Sequence, residues 1–309
     1  MRIHVLNGDA MTETFAAAGI PGELVIWREA AIDGPLAADM SSPALREARA
    51  AWFERDLGVA ADEYRRDFDR REQALAELVG RPEVELILWF ERDLFCELHL
   101  LDLLGRAAGR AWQVAVVHPP SLAIDAAALR AHFDRRHSCS ASELDQARAA
   151  WRALVGEDPR EFQAFGSDSA WLAALLDDMR RDLRGCFADA RGLTQFDAAV
   201  LGLLASGPSS PIAVFRELRE HADTRGLGLG DLQVWQRLGA LIERGLIHAD
   251  EPLPRADRDA PIDRPSLRAS EAGLAALAGE VSARASLRGR VGAASLASWQ
   301  REGDRLVAA

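Results

Sequence analysis

Residues 85–104, ELILWFERDLFCELHLLDLL, decide the fold. Leu86 to Phe90 form an unbroken apolar run of strand length that stops at the polar turn Glu91-Arg92-Asp93. Beyond the turn, Leu94, Leu98, Leu101 and Leu104 recur three or four apart, which predicts a helix with one apolar stripe laid on a sheet. A buried strand feeding an amphipathic helix through a polar turn is half of a parallel crossover unit. The same shape recurs at residues 3–9 (IHVLNGD), followed by helical spacing over 10–18. Residues 23–29 (ELVIWRE) and 113–118 (QVAVVH) supply two more strands, and 43–80 reads as two helices. The expected fold is α/β, a Rossmann-like parallel sheet over residues 1–125.

Past His118 the pattern is helical. Trp151, Leu154 and Val155 close one helix before the Glu157-Asp158-Pro159 break, and Trp171, Leu172, Leu175 and Leu176 form the buried face of another. Residues 126–190 therefore read as a helical connector. From Leu193 the character changes again. Thr194 caps a helix containing Val200, Leu201, Leu203 and Leu204, residues 211–221 make a second, and Asp231 opens a third with Leu232, Val234, Trp235, Leu238, Leu241 and Ile242. Residues 246–248 and 266–268 read as short strands around a charge-rich loop, Glu251 to Arg264, with a last helix at 271–277. Three helices and a hairpin follow the winged-helix plan, over 191–280. A tail, 281–309, carries Arg284, Arg288 and Arg290.

Composition narrows the chemistry. The chain has 309 residues and no lysine, so all 37 basic residues are arginine; Schiff-base and phosphate-loop lysine mechanisms are excluded. Residues 1–190 carry the whole formal charge of −11, and residues 191–309 sum to zero. That balance argues against a broad nucleic-acid surface on the first domain and leaves the second to bind DNA only if its arginines cluster. Cys96, Cys139 and Cys186 match no zinc or redox spacing. With no signal-peptide core and no apolar run of about 18 residues, the expectation is a cytoplasmic protein that makes no membrane contact.

The strings HVLNGD (4–9), VIWREA (25–30) with DGP (33–35), and LWFERDLFCEL (88–98) resemble a family of bacterial proteins catalogued as domain of unknown function 1835. The resemblance extends through Trp151 to Asp158-Pro159 and through GLT, GDLQVW, LGAL and GL in the C-terminal part. It implies a family without implying an activity. Where members of that family usually carry a histidine, this chain has Arg92, so a mechanism needing that histidine would fail here.

In an open α/β sheet, ligands bind outside the carboxyl ends of the strands. Those ends supply Asn7, Gly8 and Asp9; Arg28 and Glu29, with Asp33 beyond; Glu91, Arg92 and Asp93; and His118. Asp9, Glu91, Asp93 and His118 are the candidates for acid/base or cation-holding roles, and Asn7, Gly8, Arg28, Glu29 and Arg92 for ligand binding, with a divalent cation such as Mg²⁺ as cofactor. Capping of the following helices is the alternative for Asp9 and Asp93, whereas Glu29 and Glu91 end apolar strands and have less structural excuse. Neither GxGxxG nor a phosphate loop is present, nor a GxSxG elbow. Cys96 reads as a buried inert thiol, with His99 three residues on. In the third C-terminal helix, Gln233, Gln236 and Arg237 could reach bases or phosphates, although such domains also dock proteins. The readings carried forward are an enzyme for a small phosphorylated or nucleotide-like ligand, a ligand-sensing DNA-binding regulator, and a non-catalytic interaction protein.

Overall fold

The computed structural model describes residues 1–81, 83–120, 124–253, 263–287, 290–291 and 294–309. Four short strands, β1 (Arg2–Asn7), β2 (Glu23–Trp27), β3 (Val84–Trp89) and β4 (Trp112–Val117), run parallel. A fifth, β5 (His137–Cys139), pairs antiparallel with β4, giving the order β2-β1-β3-β4-β5. Val5 faces Val25 on one side and Leu88 on the other, and Leu88 faces Val116, so β-branched and Leu side chains meet across the sheet centre. The mixed α/β architecture matches the expectation. β5 departs from it, since residues beyond His118 read as helical: His-Ser-Cys has no apolar alternation, and only its ladder to Val114–Val116 makes it a strand.

Helices α1 (Thr12–Ala18) and α5 (Ala126–Asp134) cover one face, where Phe15, Leu129 and Phe133 pack with Leu6, Ile87 and Trp89. The other face carries α4 (Leu94–Ala107). Its predicted stripe meets the sheet, but Leu100 and Leu103 are also buried, because α6 (Ala141–Leu154) and α8 (Ala170–Cys186) pack on its outer side. With leucines on both its sheet side and its outer side, α4 must be enclosed, and its polar Glu97, His99 and Asp102 are buried with it. Between β2 and β3, α2 (Pro43–Trp52) runs on through one π-helical turn, Phe53–Leu57, to α3 (Ala61–Ala76).

After the short α7 (Pro159–Ala164), the C-terminal part has α9 (Gln195–Ala205), α10 (Pro211–Glu220) and α11 (Asp231–Glu243). An antiparallel pair, β6 (Ile247–Ala249) with β7 (Leu267–Ala269), and α12 (Glu271–Ala278) follow. Thr194 caps α9 in a reciprocal capping box with Asp197; α11 is capped by Gly230, one residue before the expected Asp231. Part of the Glu251 to Arg264 loop lies outside the described residues, as do Arg288 and the side chain of Arg290. In the tail, β8 (Arg290–Val291) pairs with β9 (Ala294–Ser295) and β10 (Trp299–Glu302) with β11 (Arg305–Ala308); Arg301 N–H donates to the Ala188 carbonyl at 2.8 Å, tying the last hairpin to the end of α8. One continuous cluster of buried apolar side chains runs from Ile3 to Leu306. Among the described residues, no helix is long and apolar enough to cross a membrane.

Buried charge fixes how α2 and α3 sit on the sheet. Glu29, just past β2, accepts from Arg49 Nη2 at 2.7 Å, Arg71 Nη2 at 2.5 Å, Tyr64 Oη at 2.8 Å and its neighbour's N–H at Ala30 at 2.8 Å. The Arg49 and Arg71 side chains are 0% and 2% exposed. Burial pushes the Glu29 pKa up, but the two guanidinium groups and the Ala30 N–H outweigh it and hold the carboxyl well below the usual carboxylate range. Truncating one member of such a set leaves the others buried and uncompensated. Glu29→Ala is expected to cost about 3–5 kcal/mol in urea unfolding at pH 7. Because the folded-state pKa is depressed, this stability is present above the ordinary carboxylate range and is lost as pH falls below it. The wild-type stability should therefore drop on acidification with a slope that Glu29→Gln lacks; equal slopes would exclude the assignment.

Candidate functional site

The strand order reverses direction between β1 and β3. The chain leaves β1 toward the α1 face and leaves β3 toward the α4 face, so a crevice opens outside their carboxyl ends. Asn7-Gly8-Asp9 forms one lip and Glu91-Arg92-Asp93 the other. Gly8 takes φ +74°, a left-handed turn, and an added Cβ there would meet nothing within 4 Å, so its side of the crevice is open.

A directed hydrogen-bond chain runs through this point. The Ala31 N–H donates to His99 Nε2 at 2.9 Å, so the ring proton sits on Nδ1, which faces Asn7 Oδ1 at 3.2 Å. Burial holds the His99 pKa at about 3, keeping the ring neutral. With its oxygen thus occupied, Asn7 turns Nδ2 to Cys96 Sγ at 3.0 Å, and that sulfur lies within 4.8 Å of an Asp93 carboxylate oxygen. Asp93 caps α4, with Oδ1 accepting from Cys96 N–H at 2.8 Å. Burial, followed by the Asp93 and Glu91 charges, pushes the Cys96 thiol well above its ordinary pKa; burial also raises Asp93. One ligand atom each from Glu91, Asp93 and Cys96 lies within 4.8 Å of the others, the one group of three metal-ligating side chains found among the described residues.

The remaining candidates divide sharply. Asp9 does not cap α1, whose N-cap is Met11; it forms a bidentate, exposed pair with Arg28 at 2.7 and 2.8 Å. Glu29, expected at the ligand edge, is buried in the Arg49–Arg71 set, so the apolar strand ends in a structural carboxylate there. Arg92 lies between two acids: its Nη2 bonds Asp178 and the Ala174 carbonyl, and its Nε is 3.0 Å from Glu97 Oε1. Its N–H does not point along that last line, and neither Glu97 oxygen accepts a hydrogen bond. Burial drives the Glu97 pKa to about 9 against the pull of Arg92, with Asp178, Asp93 and Asp182 pushing the same way as burial. His118 donates from Nδ1 to the Phe90 carbonyl at 2.9 Å and stacks on Trp171, which stacks in turn on His137; burial lowers its pKa to about 4. It therefore lies outside the group formed by Glu91, Asp93 and Cys96.

In the C-terminal part, the polar side of α11 turns inward. Gln233 is buried and Gln236 partly buried, while Arg237 Nη2 donates to Asp33 Oδ1 at 2.8 Å with its guanidinium over the Phe196 ring. Gln233 and Arg237 thus face the protein interior, where Asp33 is the anion that Arg237 pairs with. Sequence reading missed the linkage of Cys96 to His99 through Asn7; the i, i+3 spacing on a helix after a strand end was its only visible trace.

The depressed histidines set a pH dependence. His99 and His118 stay neutral in the folded chain while the unfolded chain protonates them near their ordinary values, so stability is present at neutral pH and falls as pH drops toward the folded pKa values. Between pH 6 and pH 5, His118→Gln is expected to flatten the loss of unfolding free energy by up to about 1.4 kcal/mol per pH unit; an unchanged slope by urea titration would show that His118 is not held neutral. No family model matches the chain, and no curated protein matches it.

Proposed function

We propose that the chain is an enzyme acting on a small ligand at the β1/β3 switch point, with Asp93 and Glu91 as the acid/base or cation-holding groups. The observation that carries this reading is the convergence of Asn7-Gly8-Asp9 and Glu91-Asp93-Cys96 at the crevice where such sheets bind ligands. Asp93 is suited to hold or move a proton, since burial raises its pKa toward the working range. Asn7, fixed by His99, would orient the bound group.

The ligand class follows from the charges. At the crevice, Arg28 and Arg92 are already paired with Asp9 and with Asp178, whereas Arg219 of α10 is the cation whose charge reaches Asp93. A divalent cation would bridge a phosphorylated or nucleotide-like ligand to the acids, with Arg219 at its side. Two carboxylates and a thiol do not suit Mg²⁺, which favours oxygen donors alone; they suit a zinc-type ion, bound with loss of the Cys96 proton. Such an ion would supply Lewis acidity at the strand ends. The inward set of Arg237 supports a winged-helix-like second half used as an intramolecular cover in preference to a DNA reader. Three free cysteines support a cytoplasmic location, and the motif strings support membership of family 1835.

A thermal-shift screen against divalent metals, nucleotides and sugar phosphates, alone and combined, tests the reading. Stabilisation that disappears in Glu91→Ala is the expected outcome. Stabilisation undiminished in Glu91→Ala, or none with any ligand and metal pair, overturns it.

A further inference from the structure

The crevice has a cover drawn from the other end of the chain. Between α10 and α11, residues 224–230 (TRGLGLG) cross the switch point. Gly228, at φ +63°, lies flat on Asp93: a Cβ added there would overlap the whole carboxylate group. Gly226 lies less closely on Asp182 of α8, where a Cβ would sit 2.7–2.8 Å from the carboxylate. The Leu227 and Gly228 amides donate within the segment, to Thr224 O at 3.0 Å and Arg225 O at 3.3 Å, so they are not spent on Asp93. Buried Thr224, bonded to the Leu218 carbonyl at 2.6 Å, and Leu229, packed on the core, anchor the segment, and two further features hold it down. Leu227, 1% exposed, plugs into the core, and Arg237, two turns into α11, reaches across to Asp33 in the loop after β2.

We propose that the α10–α11 connection is a lid over the switch point, held shut by the Leu227 plug and the Arg237–Asp33 ion pair, which opens as a unit to expose Asp93 and Cys96. Three glycines flank the apolar anchors Leu227 and Leu229 in a segment that can lift without unfolding either helix, and Arg237 of the following helix joins its far end to the opposite wall of the crevice. That the lid admits a ligand rests on the function proposed above; that it opens does not.

Cys96, 3% exposed and hydrogen-bonded to Asp93, reports the opening without any ligand. In a Cys139→Ser, Cys186→Ser background with a chelator present, alkylation of Cys96 by iodoacetamide is followed by mass spectrometry. In Asp33→Asn, which keeps the side chain's size and removes its charge, labelling should be about tenfold faster and still nearly independent of urea at low concentration. The unaltered lock gives a second reading: labelling should be nearly independent of urea at low concentration, since a local opening exposes little surface. A parental labelling rate in Asp33→Asn overturns the proposal. So does labelling that climbs from zero urea with the slope of global unfolding, a reading that stands even if Asp33→Asn fails to fold. A blank ligand screen with fast, urea-independent labelling would reject the enzyme reading and leave the lid in place.

Discussion

A carboxylate sealed from water between two guanidinium groups is the constraint on which the first half of this protein rests. Glu29 cannot stay ionised in the interior without Arg49 and Arg71, and they cannot stay buried without it. Arg49 has the largest share of the arrangement: besides Glu29 and Tyr64, it donates to the Asp33, Pro35 and Ala30 carbonyls, pinning the turn after β2. A planar fork of five donors can do this and a lysine ammonium cannot, which gives the all-arginine composition a structural use. Nearby, Arg106 pairs with Glu72 and Asp102, so the three arginines are matched by three acids. The pinned turn presents the Ala31 N–H to His99, and through His99 the arrangement reaches Asn7, Cys96 and Asp93. Stability and site geometry are thus set by one set of contacts.

The strands and the α4 stripe were legible because apolar periodicity is local. The partners of Glu29 were not. Arg49 and Arg71 lie in helices whose sequences, REARAAW and YRRDFDRREQ, read as solvated faces, and nothing local marks which arginine turns inward. A polar residue ending an apolar strand reads as a ligand group for want of a structural excuse, and the excuse lies 20 and 42 residues away. β5 was illegible for the converse reason: its three residues become a strand only by pairing with β4.

At the switch point, Asn7, Glu91 and Asp93 could be placed from the sequence because strand ends gather on one edge whatever the loops do. Their cover could not. A glycine-rich turn reads as a turn, and only the packing of α10 and α11 brings Gly228 onto Asp93. Likewise, the polar side of α11 has residues that suit DNA and suit an internal acid equally well, and composition does not distinguish Asp33 from a phosphate.

At Asp93 the cap that the structure shows is compatible with the site role proposed for it. Capping α4 occupies Oδ1 with the Cys96 N–H and fixes the carboxylate in one orientation at the mouth of the crevice. The same residue's sulfur lies within 4.8 Å of it and is the last acceptor of a chain in which Ala31 N–H, His99 and Asn7 donate in the same direction. Aligned donors polarise one another, so the chain concentrates its effect on its last acceptor. A carboxylate that only capped a helix would need none of these partners. The cap supplies the rigidity that a chemical group requires, and the hydrogen-bond chain ending at the sulfur beside it is what separates Asp93 from Asp9, which has neither the cap nor the chain and spends its charge on an exposed arginine.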